Sequence, residues 1–179
     1  AWAAPQIEAT KAAVLRTAIE EVLRAPARSD TLWLHEGALV TTRPVVDNPE
    51  TVERVFRGFD RDGKPLGYAI TASQPGFADR IDVIFGYDPA TREVLGMKVL
   101  GHKETPGLGD KIVKPSFTRQ FAGRLAPLAG VKGEAPAGDR SAVLMITGAT
   151  ISSRTIIREI NEAVARWQPL IETYQRGTP

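Results

Sequence analysis

The 179-residue chain has no cysteine at all. That single absence excludes disulfides, thiolate nucleophiles, iron–sulfur ligation by Cys and zinc-ribbon sites. It fits an oxidising or a reducing compartment equally, so it does not locate the protein. Histidine is nearly absent too: His35 and His102 are the only two, and they show no metal-ligand spacing. A tightly bound transition metal is therefore not expected. No apolar run approaches the ~20 residues that span a bilayer, and no signal-peptide pattern is visible. The chain starts at Ala1 without an initiator Met, so this absence carries nothing about a longer precursor. Blocks of like charge are missing as well. The 23 basic and 21 acidic residues interleave to a net charge of +2, which describes a mixed solvated surface and gives no reason to expect nucleic acid.

What is present is ordinary globular composition, 42% hydrophobic and 25% charged, in a length that one domain can fill. Residues 5–24 read as a helix, with Ile7, Ala12, Val14, Leu15, Ala18, Ile19, Val22 and Leu23 largely on one stripe and Pro26 ending it. Residues 27–50 read as loop-rich, with one short strand at Ala38–Thr42 before the breakers Pro44 and Asn48-Pro49. From about residue 52 the pattern changes to strands and tight turns. Val52–Phe59 and Leu66–Ala72 flank Asp-Gly at 62–63, and Ile81–Tyr87 and Val94–Leu100 flank a second turn at 88–93. Alternation at Ile81, Val83 and Phe85 marks a strand with one buried face. The expected architecture is α+β: a twisted, mainly antiparallel four-strand meander flanked by helices. A helix is expected over Ser116–Leu125, exposed Gly/Pro/Ala-rich chain from Ala126 to Asp139, and a short strand at Ala142–Ile146. A long amphipathic helix over Ser152–Trp167 is kinked or ended by Pro169.

Two segments stand out chemically. Thr147-Gly148-Ala149-Thr150 runs straight from a strand into Ile151-Ser152-Ser153 and the last helix. Small residues there allow close backbone approach, and a helix start presents unpaired N–H groups and the positive dipole end to an anion. By spacing alone, the plainer reading prevails: a helix start capped by Ser152 or Ser153, with Thr147 capping nothing. The second segment, His102-Lys103-Glu104-Thr105-Pro106-Gly107-Leu108-Gly109-Asp110-Lys111-Ile112, contains Pro106, Gly107 and Gly109 and reads as an ordered loop. Its glycine N–H groups beside Leu108 could meet a planar ring and its edge. By composition alone it is a surface loop with scattered charges.

Taken in order, Gly-His-Lys-Glu-Thr-Pro-Gly-Leu-Gly-Asp-Lys-Ile at 101–112 and Thr-Gly-Ala-Thr-Ile-Ser-Ser at 147–153 resemble the FMN-binding domain of the G subunit of the Rnf electron-transport complex. That complex is the ion-translocating ferredoxin:NAD oxidoreductase; the C subunit of the sodium-translocating NADH:quinone oxidoreductase is its relative. The resemblance covers about residues 50–170 in element order. It implies FMN joined by a phosphoester to Thr150, with Thr147, Gly148, Ala149, Ser152 and Ser153 around the phosphate. It places Glu104, Thr105, Pro106, Gly107, Leu108, Gly109 and Lys111 by the flavin. The implied partners are the other membrane subunits and a separate flavin transferase that uses FAD as donor. The implied location is the extracytoplasmic side of the inner membrane, behind an N-terminal anchor. Residues 1–50 would then lead from that anchor, residues 51–172 form the FMN-binding domain, and residues 173–179 form a tail. Leu144 departs from the family, which usually has Asp three residues before the first Thr, and Met145 replaces a smaller residue. The alternatives are the quinone-oxidoreductase C subunit and a noncovalent flavin-binding or assembly module without a redox role. A hydrolase using Ser152 or Thr150 lacks a placed base.

Overall fold

The computed structural model describes residues 3–75, 80–101 and 109–177. Turn chemistry builds its central sheet. Asp60 Oδ1 accepts the N–H groups of Asp62 and Lys64, both at 2.9 Å, and Gly63 takes φ +79°. This reverses β3 (Arg54–Phe59) into β4 (Pro65–Pro75). Asp88 Oδ1 accepts from Ala90 N–H in the turn between β5 (Arg80–Asp88) and β6 (Glu93–Gly101). These four strands match the meander expected from the sequence.

The sheet is larger than that meander. Residues 27–50, expected as mostly loop, contain β1 (Arg28–His35), which pairs with β3 from Arg28↔Phe59 to Trp33↔Arg54. A two-residue hairpin, Glu36 at φ +50° and Gly37 at φ +80°, returns it into β2 (Ala38–Val40). The result is six antiparallel strands in the order β2-β1-β3-β4-β5-β6.

Both faces of this sheet are covered, so β5 is not the one-faced strand its alternation implies. Ile81, Val83, Phe85 and Tyr87 lie in the larger core, while Ile84 lies in a second one. The second core is roofed by helix α1 (Ala3–Val22), whose Ala18, Ile19 and Val22, with Leu23 just beyond, pack on Phe56, Ala69, Ile84 and Leu95. Glycines make the seat. Gly86 and Gly96 are cross-strand partners beneath α1, and a Cβ at Gly86 would lie 2.1 Å from the Val22 carbonyl oxygen.

The opposite face carries α3 (Thr150–Arg176), which buries Ile156, Ile157, Ile160, Val164, Trp167 and Ile171. Pro169 does not end this helix, which runs on for seven residues to Arg176. The apolar stripe continues on either side of the exposed Pro169 through Trp167 and Ile171, and Gln168 anchors the same turn. Its amide donates to the Pro89 carbonyl at 3.0 Å, and its oxygen accepts from the Tyr87 hydroxyl. Packing outweighs the one N–H that proline withholds.

The helix expected over Ser116–Leu125 is shorter than its pattern implies. Helix α2 (Pro115–Thr118) passes into a 3-10 turn at Arg119–Phe121, and Gly123 at φ +86° turns the chain away. Phe117 and Phe121 are buried edge-to-face, 5.2 Å between centroids. The 126–139 segment is not all irregular: β7 (Ala129–Val131) pairs in parallel with β8 (Ala142–Leu144).

Candidate functional site

Strand β8 delivers the chain to a tight turn. Thr147 and Gly148 are exposed, with Gly148 at φ +84°, and Ala149 is buried as the N-cap of α3. Thr150 is half-buried and is the first helical residue. The N-cap residue, Ala149, makes no side-chain cap, and the first turn contains no acidic residue. Ser153 N–H, donating to the Ala149 carbonyl at 3.0 Å, is the first that finds an acceptor within the helix. The N–H groups of Thr150, Ile151 and Ser152 precede it and belong to the turn that a helix leaves without internal acceptors.

Ser152 and Ser153 are both buried. The Ser153 hydroxyl is engaged within the turn: it donates to the Ala149 carbonyl at 2.8 Å and accepts from Ile146 N–H at 3.0 Å. Leu144 is solvent-exposed, at 37%. Its backbone is gripped at both polar groups by Gln120, whose amide donates to the Leu144 carbonyl at 3.1 Å and accepts from its N–H at 2.8 Å. Asp139, the nearest upstream carboxylate, is occupied five residues earlier by Ser141 N–H at 2.8 Å.

Of the second segment, His102, Lys103, Glu104, Thr105, Pro106, Gly107 and Leu108 lie outside the described residues. Gly109 opens a 3-10 turn to Val113, in which Lys111 is half-buried and Ile112 fully buried. The strand end that leads into this segment, Gly101, can nevertheless be placed at the same end of the sheet as Thr150. Helix α3 runs along the sheet with Gln175 Nε2 3.1 Å from the Tyr68 hydroxyl near the start of β4. Further back, Glu159, Glu162, Ala163, Arg166 and Trp167 line a cavity with Thr71, Ala72 and Ser73 near the end of β4. At 1.5 Å per residue, Thr150 lies beyond that end. There β4 stops, β5 begins, and β6 releases the 102–108 segment at Gly101.

Two adjoining cavities open at this end. One of about 380 Å³ is lined by Thr71, Ala72, Ser73, Asp82, Val83 and Leu100. The other, of about 280 Å³, shares Thr71–Ser73 and reaches α3. Its wall includes Glu159, a carboxylate only 1% exposed, and the Glu53–Arg166 ion pair at its rim. Ser73 donates to Asp82 Oδ1 and accepts from Arg80 Nε at 3.1 Å. Sequence patterns did not single out Thr71, Ser73, Asp82 or Glu159. Glu159 had a signal, since an acid stands among Ile156, Ile160 and Ala163 on the apolar stripe of α3. The β4 residues had none, because their role depends on which helix crosses them.

The chain is thus a three-layer α+β domain in which a strand turns directly into a long helix whose N-cap, Ala149, has no side-chain hydrogen bond, a place that favours an anion. The FMN-binding domain family matches residues 76–165, half of the chain, and the protein belongs to that family. It is 33% identical over 125 residues to the G subunit of the ion-translocating oxidoreductase complex of Methanosarcina acetivorans, covering 70% of this chain and 64% of that one. To the protein of the same name from Shewanella baltica it is 39% identical over 105 residues, covering 57% and 49%. The chain thus spans about half to two thirds of the length of these relatives. Its fold is that of NqrC from Shewanella oneidensis, with a TM-score of 0.76 at 21% identity, covering 92% of this chain and 99% of that one.

Proposed function

We propose that the protein is the G-type electron-carrying subunit of a membrane-bound ion-translocating ferredoxin:NAD oxidoreductase complex, with FMN esterified through its phosphate to Thr150 Oγ1. The observation that carries this reading is the start of α3, where Thr150 stands half-exposed in a first turn without acidic residues, behind an N-cap, Ala149, that makes no side-chain cap. Those residues fit a phosphate. The N–H groups of Thr150, Ile151 and Ser152 would face it, and the helix dipole adds about 0.3–1 kcal/mol at such a site. Exposed Thr147 and Gly148 leave the approach open. The bound flavin supplies one- and two-electron chemistry, while the protein sets position and surroundings. In this reading Glu104–Gly109 and Lys111 hold the ring end, and an anchor before α1 keeps the domain on the extracytoplasmic face of the membrane. The other complex subunits would exchange electrons with it, and a flavin transferase would load it.

Leu144 favours a second reading, in which the fold binds flavin noncovalently or serves assembly, because the family's usual acid is missing there. One experiment separates them. The protein is produced with and without a flavin transferase, denatured, desalted and weighed intact. The ester reading expects one FMN added, visible colour retained, and both lost in Thr150→Ala without loss of fold. An unmodified mass from cells supplying the transferase would refute it.

A further inference from the structure

The chain on either side of Thr147 and Gly148 is held by hydrogen bonds, two side chains supplying some and backbone the rest. Gln120 occupies both polar groups of the Leu144 backbone, at 2.8 and 3.1 Å, as a neighbouring strand would. Met145 N–H donates to the Val131 carbonyl at 2.9 Å. Ile146 N–H donates to Ser153 Oγ at 3.0 Å, and the Ile146 carbonyl accepts from Ala149 N–H at 3.0 Å. Ser153 Oγ also donates to the Ala149 carbonyl at 2.8 Å. Hydrogen bonds thus fix Leu144–Ile146 and Ala149, while Thr147 and Gly148 are left exposed between them. Gln120 itself is set by its neighbour Phe121, fully buried against Phe117.

Neither clamp is needed to form the elements it joins. Strand β8 already pairs with β7, and α3 is held by its long apolar face. We infer that Gln120 and Ser153 are positioning residues that preshape the Ile146–Thr150 turn as the substrate of flavin transfer. The proposal rests on the Thr150 ester reading. In the transfer, Thr150 Oγ1 forms a bond to the FMN phosphorus of FAD, the P–O bond to the adenylate breaks, and AMP leaves. The hydroxyl proton is released, so FAD and the Thr150 hydroxyl give the FMN ester, AMP and H⁺. A turn already ordered on both sides of Thr147 and Gly148 spares the transferase the ordering itself.

The test follows loading of purified protein by purified flavin transferase with FAD, read as intact mass against time at several protein concentrations. Gln120→Met keeps the length of the side chain and removes both hydrogen bonds; Ser153→Ala empties the second clamp. Each is expected to lower the transferase kcat roughly tenfold to a hundredfold with KM nearly unchanged. Thermal unfolding of Gln120→Met should stay close to wild type, while Ser153→Ala, which takes the acceptor from Ile146 N–H, should melt lower. The loading rate of Gln120→Glu, which keeps the acceptor for Leu144 N–H, should fall between Met and wild type. Faster hydrogen exchange at the Leu144 and Ile146 amides would report the freed turn, a change that a loss of general stability would spread over the whole domain. Loading of well-folded Gln120→Met at the wild-type rate overturns the inference. Should Ser153→Ala fail to fold, Gln120→Met decides alone. If wild type itself accepts no FMN, the ester reading falls; if wild type loads and the variants load equally well, only the inference falls.

Discussion

Gly86 and Gly96 face each other across two strands beneath the same helix turn, yet their tolerance differs by geometry alone. A methyl at Gly86 meets a carbonyl oxygen at 2.1 Å, so α1 must lift. A methyl at Gly96 meets Val22 Cα at 3.4 Å, an ordinary contact. Gly86→Ala is expected to cost about 3 kcal/mol or more, a drop of roughly 6–12 °C in melting temperature, and Gly96→Ala less than about 1 kcal/mol. Calorimetry on the two variants checks the contrast, and equal losses would contradict the seat described for α1. Tyr87 makes a different residue-scale prediction. Burial first of all holds its phenol above the ordinary value near 10, and the same cause raises Tyr68. A phenol raised in the fold contributes stability that is complete below the unfolded value and lost as pH rises through the folded one. Stability should therefore fall above about pH 10. Tyr87→Phe should flatten that fall while costing about 1 kcal/mol at neutral pH for the hydrogen bond to Gln168. Urea titrations at neutral and alkaline pH measure both effects.

Among the elements, α3 carries the most structure, and its proline is a local cost that packing overrides. Pro169 is exposed within the helix, so its removal restores an N–H donor without opening a cavity. Pro169→Ala should raise stability by about 1–3 kcal/mol, seen as a higher melting temperature; a lower one would mean that the ring packs usefully. The same proline misleads a reader of sequence, who sees a helix breaker and cannot see Tyr87 and Pro89 waiting for Gln168. Strand β1 is hidden for a related reason. Arg28, Asp30 and His35 interrupt its pattern, and Arg57 from β3 supplies the partner that makes Asp30 acceptable, at 2.6 and 2.8 Å. Its hairpin turn, Glu36-Gly37, is a weaker signal than the Asp-Gly at 62–63. The meander was legible because each hairpin is local. The Thr147–Ser153 turn was legible for the same reason, since strand, small residues and helix follow one another directly. The cavity at Thr71–Ser73 was not, because residues about ninety positions apart build it.

At the scale of the molecule, the part that identifies the family is not the part that can stand alone. Residues 76–165 contain β5, β6 and most of α3, but β5 pairs along its length with β4, from Tyr68↔Tyr87 to Pro75↔Arg80. The other sheet face depends on α1, which lies wholly outside that span. Removing residues 1–26 would uncover Phe56, Ala69, Ile84 and Leu95. It would also delete the burial of Ile19, Val22 and Leu23, side chains that contribute about 1.5–3 kcal/mol each. Their sum rivals the whole stability of about 5–15 kcal/mol that a domain possesses. A chain beginning at Ala27 is therefore expected to lose its cooperative unfolding transition or to aggregate, although every residue near Thr150 is retained. Circular dichroism and size-exclusion chromatography of that truncation decide it. A monomer with a sharp melt would mean that α1 is dispensable for folding, whereas collapse makes its core, on the sheet face opposite α3, a requirement of the whole domain.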